Sequence, residues 1–271
     1  IAVRTDGTTI YVGGNFDFFN GVATSRLTAI NATTGDIKPN FTMPLTEPTN
    51  DYSEGGLRAM VLSPDETTLM IVGNFRKIAG VDRPLVGQID VSGPMATVNQ
   101  WHTDLYDQPC TRSGKVGWMR DVDISPDGQT AYVVSSGHFY YPACDSMNAF
   151  SMANTAENKL PLWTDRVGDT MESVTADRNA VYLSGHFRYL DTETHADPRF
   201  QIAAVEPDTG KAINWVPDAG GVRGVLDLEL EPAGLFATSD GDAFGGVNHG
   251  RNAFWPNPAP GIEVRKAPSR P

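Results

Sequence analysis

Residues 10–16 read IYVGGNF, and residues 69–75 repeat this stretch as LMIVGNF. Weaker copies follow at 131–139 (AYVVSSGHF), at 181–187 (VYLSGHF) and at 235–241 (LFATSDG), where a glycine replaces the final phenylalanine. The copies recur with a period of about 50 to 60 residues. A period of this length indicates a chain built from copies of one supersecondary unit, and this repeat decides the fold.

The neighbours of each copy are also repeated. Upstream lie an alternating strand and a tight turn, as at Asp6-Gly7 and Asp127-Gly128. Downstream lies a third apolar strand, such as LTAIN at 27–31. A last short strand then carries one aromatic side chain, which is Phe41, Trp101, Trp163 or Trp215. Each unit therefore reads as four short antiparallel strands that close on an aromatic wedge.

Units of this kind are typical of β-propeller blades. The sequence predicts an all-β propeller of four-stranded antiparallel blades over residues 1–255, with five repeat copies, of which the first and last are incomplete. Ile1 aligns with Met60, partway along a strand, and a ring must close its edges. We therefore expect a six- or seven-bladed ring whose N-terminal part lies upstream of Ile1; a closing strand after Trp255 is the alternative way to complete it. We also expect equivalent buried positions for Phe16, Phe75, Phe139 and Phe187.

Composition restricts the partners and the chain ends. The 271 residues include 21 Lys and Arg against 33 Asp and Glu, a net charge of −12. Such a surface repels phosphate backbones and anionic lipid, so we expect no nucleic-acid partner. No apolar run reaches the ~18 residues of a membrane span.

Residues 256–271 are rich in proline and are predicted to be a linker to further domains. A frayed terminus is the alternative.

The first repeat resembles the delta-sixty repeat. The resemblance rests on its Gly-Asn-Phe element, the small turn at Asn20-Gly21 and RLTAINATTG at 26–35. It implies a β-propeller of bacterial, often actinobacterial, secreted and surface proteins, some with appended immunoglobulin-like or carbohydrate-binding modules. It supplies no catalytic residues. The third copy departs from the pattern because YYPAC at 140–144 replaces the small turn.

Cys110 and Cys144 are the only cysteines. They bracket strands of the third unit in segments predicted to be loops. In an oxidising compartment a disulfide there would hold a loop in place. Two separate buried thiols are the alternative. The pair also favours a secreted or cell-surface location.

Charged residues recur at equivalent positions of the innermost strands. Arg58, Arg120 and Glu172 align with one another, and Asp121 aligns with Asp227. Innermost strands of a propeller line its central channel, so these side chains could converge into a ligand site. A salt-bridge network that holds neighbouring blades together is the alternative.

Two long loops supply further candidates. Tyr140 and Tyr141 could stack on sugars or anchor a protein partner, or they could pack as a satellite core. His195 lies among carboxylates that could hold Ca²⁺, although a solvated acidic loop is the preferred interpretation. His186 takes the repeat position of Asn15, which favours a role in the turn. No other cofactor is predicted.

These observations lead to one preferred function and two alternatives. The preferred function is a secreted, non-catalytic recognition scaffold that binds a glycan or a protein at the cell surface. The first alternative is an extracellular carbohydrate-active hydrolase or lyase. The second is a structural subunit of a surface assembly. Catalytic motifs such as a nucleophile elbow or a phosphate-binding loop are absent from the sequence.

Overall fold

The computed structural model of the chain describes residues 1–48, 56–110, 116–137, 143–190 and 197–256. Short antiparallel strands dominate these ranges, which contain one 3₁₀ helix, Leu105–Asp107. No helix of the described ranges is long and apolar enough to cross a membrane. The all-β prediction is confirmed.

The strands belong to five successive units, each with one main antiparallel sheet. The first unit contains β1 (Ala2–Val3), β2 (Thr9–Gly13), β3 (Phe18–Phe19), β4 (Val22–Ala23) and β5 (Leu27–Asn31). The second contains β6 (Leu45–Thr46), β7 (Gly56–Leu62), β8 (Thr68–Asn74), β9 (Lys77–Ile78), β10 (Val81–Asp82), β11 (Val86–Asp90) and β12 (Thr97–Val98). The third contains β13 (Trp118–Ile124), β14 (Thr130–Ser136), β15 (Ser146–Ser151) and β16 (Trp163–Arg166).

The last two units complete the described part of the chain. The fourth contains β17 (Met171–Ala176), β18 (Val181–Gly185), β19 (Tyr189–Leu190), β20 (Asp197–Pro198) and β21 (Ile202–Val205). The fifth contains β22 (Ala219–Gly220), β23 (Val225–Glu231), β24 (Gly234–Ser239), β25 (Ala243–Phe244), β26 (Val247–Asn248) and β27 (Asn252–Pro256).

Main sheets of the second and third units have the four strands that the sequence predicts, in the spatial orders β7-β8-β11-β12 and β13-β14-β15-β16. The other main sheets have three strands: β1-β2-β5, β17-β18-β21 and β23-β24-β27. In the first and fourth units the last strand is reduced to the single bridges Ile30–Ile37 and Val205–Ala212. Pro39 follows the first bridge, and a proline has no N–H with which to extend a ladder.

A short outer hairpin follows the second strand of four of the units. The hairpins are β3-β4, β9-β10, β19-β20 and β25-β26. Strand β6 pairs with the hairpin β9-β10, and strand β22 pairs with the hairpin β25-β26. This geometry explains the glycine that ends the fifth repeat copy. A Cβ atom on Gly241 would collide with the carbonyl oxygen of Gly220 in β22, so phenylalanine has no room there.

The repeat is also visible in the backbone. Before the third strand of a main sheet, one residue adopts a left-handed conformation, and its amide donates to the carbonyl oxygen of the repeat phenylalanine. The pairs are Arg26 with Phe16 (φ 77°, 2.7 Å), Leu85 with Phe75 (φ 68°, 2.9 Å) and Gln201 with Phe187 (φ 68°, 2.9 Å). None of these three donors is a glycine, so composition gives no sign of the shared conformation.

The hydrophobic core lies in four layers, each between two successive main sheets. Phe75 packs against the first unit and Phe187 against the third, and both are fully buried. Phe16 is only half-buried, because no described sheet precedes the first unit to cover it. Phe139 lies outside the described residues. The predicted equivalence is therefore complete for two of the four phenylalanines.

Two of the repeated aromatic side chains join neighbouring units. The indole N–H of Trp101 donates to the carbonyl oxygen of Ser151 in the third unit, at 2.8 Å. The indole N–H of Trp163 donates to the carbonyl oxygen of Pro207 in the fourth unit, at 2.9 Å. Each ring therefore fills space between two sheets and satisfies its polar group across the boundary.

Candidate functional site

The first strands of four main sheets, β7, β13, β17 and β23, pack side by side. Each contains a β-bulge, and the extra residues are Arg58, Arg120, Glu172 and Leu226. At a bulge, two residues of one strand lie opposite a single residue of the partner strand, and the directions of their side chains change. The predicted alignment of the first three residues therefore matches the structure. Leu226 is their counterpart in the fifth unit, and sequence alignment missed it because its side chain is apolar.

Three of these bulge residues form a charged group, which we call the arginine–glutamate cluster: Arg58, Arg120 and Glu172. The Glu172 Oε2 atom lies 3.3 Å from Arg120 Nη1 and 3.8 Å from Arg58 Nη2. The Glu172 side chain is mostly buried, whereas the Arg58 side chain is 56% exposed. One guanidinium group of the cluster is therefore open to solvent.

Arg120 is held more tightly than Arg58. Its Nη2 donates to Ser136 Oγ at 3.3 Å, and Ser136 Oγ lies 3.2 Å from Thr170 Oγ1. Burial lowers the pKa of Arg120, the carboxylate of Glu172 opposes this effect, and repulsion from Arg58 adds to it. Arg120 remains a cation at neutral pH because its ordinary pKa is far higher.

Beside this cluster, Ser173 lies between two carboxylates. Its hydroxyl donates to Asp121 Oδ2 at 2.8 Å and lies 3.3 Å from Asp227 Oδ1. The same Asp121 oxygen accepts from the backbone N–H of Val174 at 3.0 Å. The structure thus brings Asp121 and Asp227 together through the fourth unit, and Asp121 bonds the third unit to the fourth.

Asp123 makes a second link of the same kind, two residues further along β13. Its Oδ2 accepts from the N–H of Ala176 at 2.7 Å and from Thr175 Oγ1 at 3.2 Å. Burial raises the pKa of Asp121 and of Asp123 to about 6 each, although these hydrogen bonds oppose the shift. Asp121 and Asp123 of the third unit therefore connect adjacent main sheets through hydrogen bonds.

An unpredicted pair lies next to the cluster. His186 Nδ1 is 3.0 Å from Asp169 Oδ2, and the His186 amide donates to the carbonyl oxygen of Thr170 at 2.8 Å. Sequence reasoning assigned His186 to a turn because Asn15 and Asn74 occupy its repeat position. The partner could not be found that way, because Asp169 precedes the strand and has no repeated spacing.

The remaining predicted candidates have mixed outcomes. Tyr140, Tyr141 and His195 lie outside the described residues. Cys110 and Cys144 form a disulfide with a Cα–Cα distance of 5.6 Å, as predicted. Across the described ranges, no group of three or more His, Cys, Asp or Glu side chains is placed to hold a metal ion.

Glycines make room for the disulfide. A Cβ atom on Gly117 would lie 2.9 Å from Cys110 Sγ, and one on Gly137 would lie 3.0 Å from Cys110 Cβ. The Gly137 amide donates to Asp145 Oδ1 at 2.7 Å. The bridge is therefore built into the ends of the third unit's strands, next to Ser136 and the arginine–glutamate cluster.

No protein-family model and no curated protein matches the sequence. Solved structures do match. The periplasmic gluconolactonase PpgL of Pseudomonas aeruginosa aligns with a TM-score of 0.54 at 14% identity, over 89% of this chain and 64% of that chain. The computationally designed protein Ika8 aligns with a TM-score of 0.51 at 10% identity, over 94% of this chain and 57% of that chain.

These likenesses concern the fold. The neighbours are β-propeller-like proteins, so the all-β, antiparallel architecture of this chain belongs to that class. The chain spans less than two thirds of the length of both structures.

Proposed function

We propose that this chain is part of a secreted, non-catalytic propeller whose central channel recognises an anionic group on a glycan. In this proposal the five units are blades of a six- or seven-bladed ring, and β7, β13, β17 and β23 line its channel. The resemblance of the repeat to the delta-sixty repeat supports this reading of the ring and a bacterial surface location. The disulfide and the absence of a membrane-spanning helix in the described ranges are consistent with an extracellular protein.

One observation carries the proposal. In a chain with a net charge of −12, two guanidinium groups meet around a single carboxylate, and one of them is open to solvent. The two arginines and one glutamate of the cluster sum to one positive charge, and the carboxylates of Asp121 and Asp227 lie beside them on Ser173. Arginine binds carboxylate and sulfate groups through paired hydrogen bonds, so an anionic sugar is the ligand class that fits.

The channel carboxylates support binding over turnover. A glycoside hydrolase needs two carboxyl groups that face the substrate. Asp121 and Asp123 instead accept hydrogen bonds from backbone N–H groups of the next unit. Using either group for proton transfer would break a contact that joins two sheets.

The two loops complete the proposed site. In this proposal Tyr140, Tyr141 and His195 also contact the ligand, because loops on a rigid ring are free to vary in sequence. A protein partner with an acidic segment is the other ligand that the same arginines could bind, and the experiment distinguishes the two.

Calorimetric titration with an oligogalacturonate, and with a neutral oligogalactoside of equal length, tests the proposal. We expect only the acidic sugar to bind, less tightly as salt rises. Arg58→Ala should weaken binding by roughly fivefold or more. Arg251→Ala is the matched control, because Arg251 is also exposed and pairs with a carboxylate, Asp242, at 3.4 Å. Equal binding of both sugars would overturn the proposal, as would an unchanged affinity in Arg58→Ala. Binding of an acidic peptide alone would point to a protein partner.

A second function has one observation in its favour. The pKa values of Asp121 and Asp123 are raised to about 6, and carboxyl groups of that pKa act as general acids in hydrolases. An extracellular carbohydrate-active hydrolase or lyase is therefore the alternative. It predicts release of sugar fragments that is lost in Asp121→Asn, whereas the scaffold predicts none.

A further inference from the structure

A separate cavity lies between the first and second units, away from the channel. Its volume is about 290 Å³. One wall comes from the β1–β2 turn and β2, another from the segment after β5, and the third from the segment after β11. The lining of the cavity includes Arg4, Asp6, Tyr11, Lys38, Phe41 and Ala96.

This cavity exists where the repeat changes one aromatic residue. Phe41 stands where the next three units have Trp101, Trp163 and Trp215. Trp101 reaches the carbonyl of Ser151 in the following unit, and by strand register Asp90 is the residue that corresponds to Ser151. Phenylalanine is smaller than tryptophan and has no N–H group. Phe41 packs on Tyr11 with a ring separation of 5.3 Å and leaves the outer part of the wedge position empty.

Charged side chains of both signs line the same cavity, where Arg4 Nε lies 3.8 Å from Asp6 Oδ2. Lys38 Nζ donates to Thr9 Oγ1 at 2.6 Å, which is the one hydrogen bond of its ammonium group within the described residues. An ammonium group has three donors, so Lys38 has capacity for a ligand. Arg4 is fixed nearby through Glu66, whose Oε2 lies 3.3 Å from Arg4 Nη2. Two cations and the carboxylate of Asp6 thus line a cavity in a strongly acidic chain.

We infer that this cavity is a second binding site, for one small hydroxylated carboxylate of the size of a single sugar acid. A volume of about 290 Å³ is at the small end of ligand pockets and fits one sugar ring better than an oligosaccharide or a nucleotide. The carboxylate of the ligand pairs with the Lys38 ammonium group. The edges of Tyr11 and Phe41 contact the apolar face of the ring, and hydroxyl groups meet the threonine and serine side chains of the walls.

Two substitutions test separately whether binding needs the charge of the site and whether it needs the empty volume. Lys38→Met keeps most of the side-chain volume and removes the cation. Phe41→Trp installs the residue that the next three units use and fills the cavity with an indole ring. Lys77→Met is the matched control, because Lys77 Nζ also makes a 2.6 Å contact, with Glu47 Oε1, outside this cavity.

The experiment is a nuclear magnetic resonance titration of the protein with glucuronate, glucose and glutamate. We expect glucuronate to bind and to shift the resonances of Lys38 and Tyr11. Glucose should bind at least about tenfold more weakly, because it lacks the charge-assisted contact. Lys38→Met should remove that preference, Phe41→Trp should abolish the shifts of the Lys38 and Tyr11 resonances, and Lys77→Met should leave both unchanged.

The inference would be overturned by no binding of glucuronate by the wild-type protein, by binding that survives both Lys38→Met and Phe41→Trp, or by binding that is lost in Arg58→Ala. The last would assign the ligand to the channel and leave the proposed function intact. Equal binding of glutamate would show that the cavity selects a small carboxylate without reading its hydroxyl groups, which contradicts the sugar-acid assignment. If Phe41→Trp fails to fold, Lys38→Met against Lys77→Met decides the question.

Discussion

Replacing Asp123 with asparagine changes how the stability of the protein depends on pH. Burial raises the pKa of Asp123 to about 6 from its ordinary value of 3.8. The folded state therefore binds a proton more tightly than the unfolded state, and stability falls as pH rises between these two values. Each pKa unit corresponds to about 1.36 kcal/mol, so the full loss is about 3 kcal/mol. From about pH 5 to pH 7.5 the loss is roughly 1.4 kcal/mol.

Asp123→Asn keeps an oxygen that can accept from the Ala176 amide and removes the titrating charge. Urea unfolding of both proteins at about pH 5 and pH 7.5 measures the difference. We expect the wild type to lose roughly 1.4 kcal/mol relative to the variant as pH rises across this range. If the wild type and the variant differ in free energy of unfolding by the same amount at both pH values, burial does not raise the pKa of Asp123.

Asp127→Asn serves as the control for this measurement. Hydrogen bonds from Ser125 and from the Gln129 amide lower the pKa of Asp127. Its folded and unfolded pKa values therefore both lie below about pH 5, so its contribution is constant over the measured range and is lost only at lower pH. A pH-dependent difference between wild type and Asp127→Asn would indicate that another group is responsible.

Three further predictions concern the fold. Removing the disulfide by replacing Cys110 and Cys144 with serine should lower the free energy of unfolding by about 3 to 4 kcal/mol, and unchanged melting would contradict the stabilising role of the bridge. Phe187→Ala should cost about 3 to 5 kcal/mol, whereas Phe16→Ala should cost clearly less, because Phe16 is only half-buried; equal losses in urea unfolding would refute the layered core. Gly241→Ala should destabilise the fifth unit by colliding with a carbonyl of β22, and normal amide-exchange protection of β24 in that variant would argue against the collision.

The sequence predicts the repeat well because each unit must bury the same faces. The alignment of Arg58, Arg120 and Glu172 follows from a shared bulge, and a bulge keeps its place when a unit is copied. The aromatic wedge at Trp101 and Trp163 follows for the same reason. These features depend on contacts within a unit or on a face that every unit presents to the next.

Features that depend on the offset between neighbouring sheets could not be predicted. Nothing in the sequence shows that Asp123 reaches the Ala176 amide, because that contact needs the two inner strands at a particular stagger. The cavity at Phe41 could have been predicted from the sequence, since phenylalanine replaces tryptophan at a repeated position. The charge of the cavity could not, because it depends on where the side chains of Lys38 and Arg4 lie in the folded chain.

Analysis of one mixture tests the central claim that the channel recognises a sugar without cleaving it. The protein is incubated with an oligogalacturonate, and the bound sugar is measured by equilibrium dialysis. The molecular mass of the sugar is then determined by mass spectrometry. Our account predicts binding that Arg58→Ala weakens by roughly fivefold or more, with the mass of the oligosaccharide unchanged. Fragments that appear with the wild type and not with Asp121→Asn would contradict it.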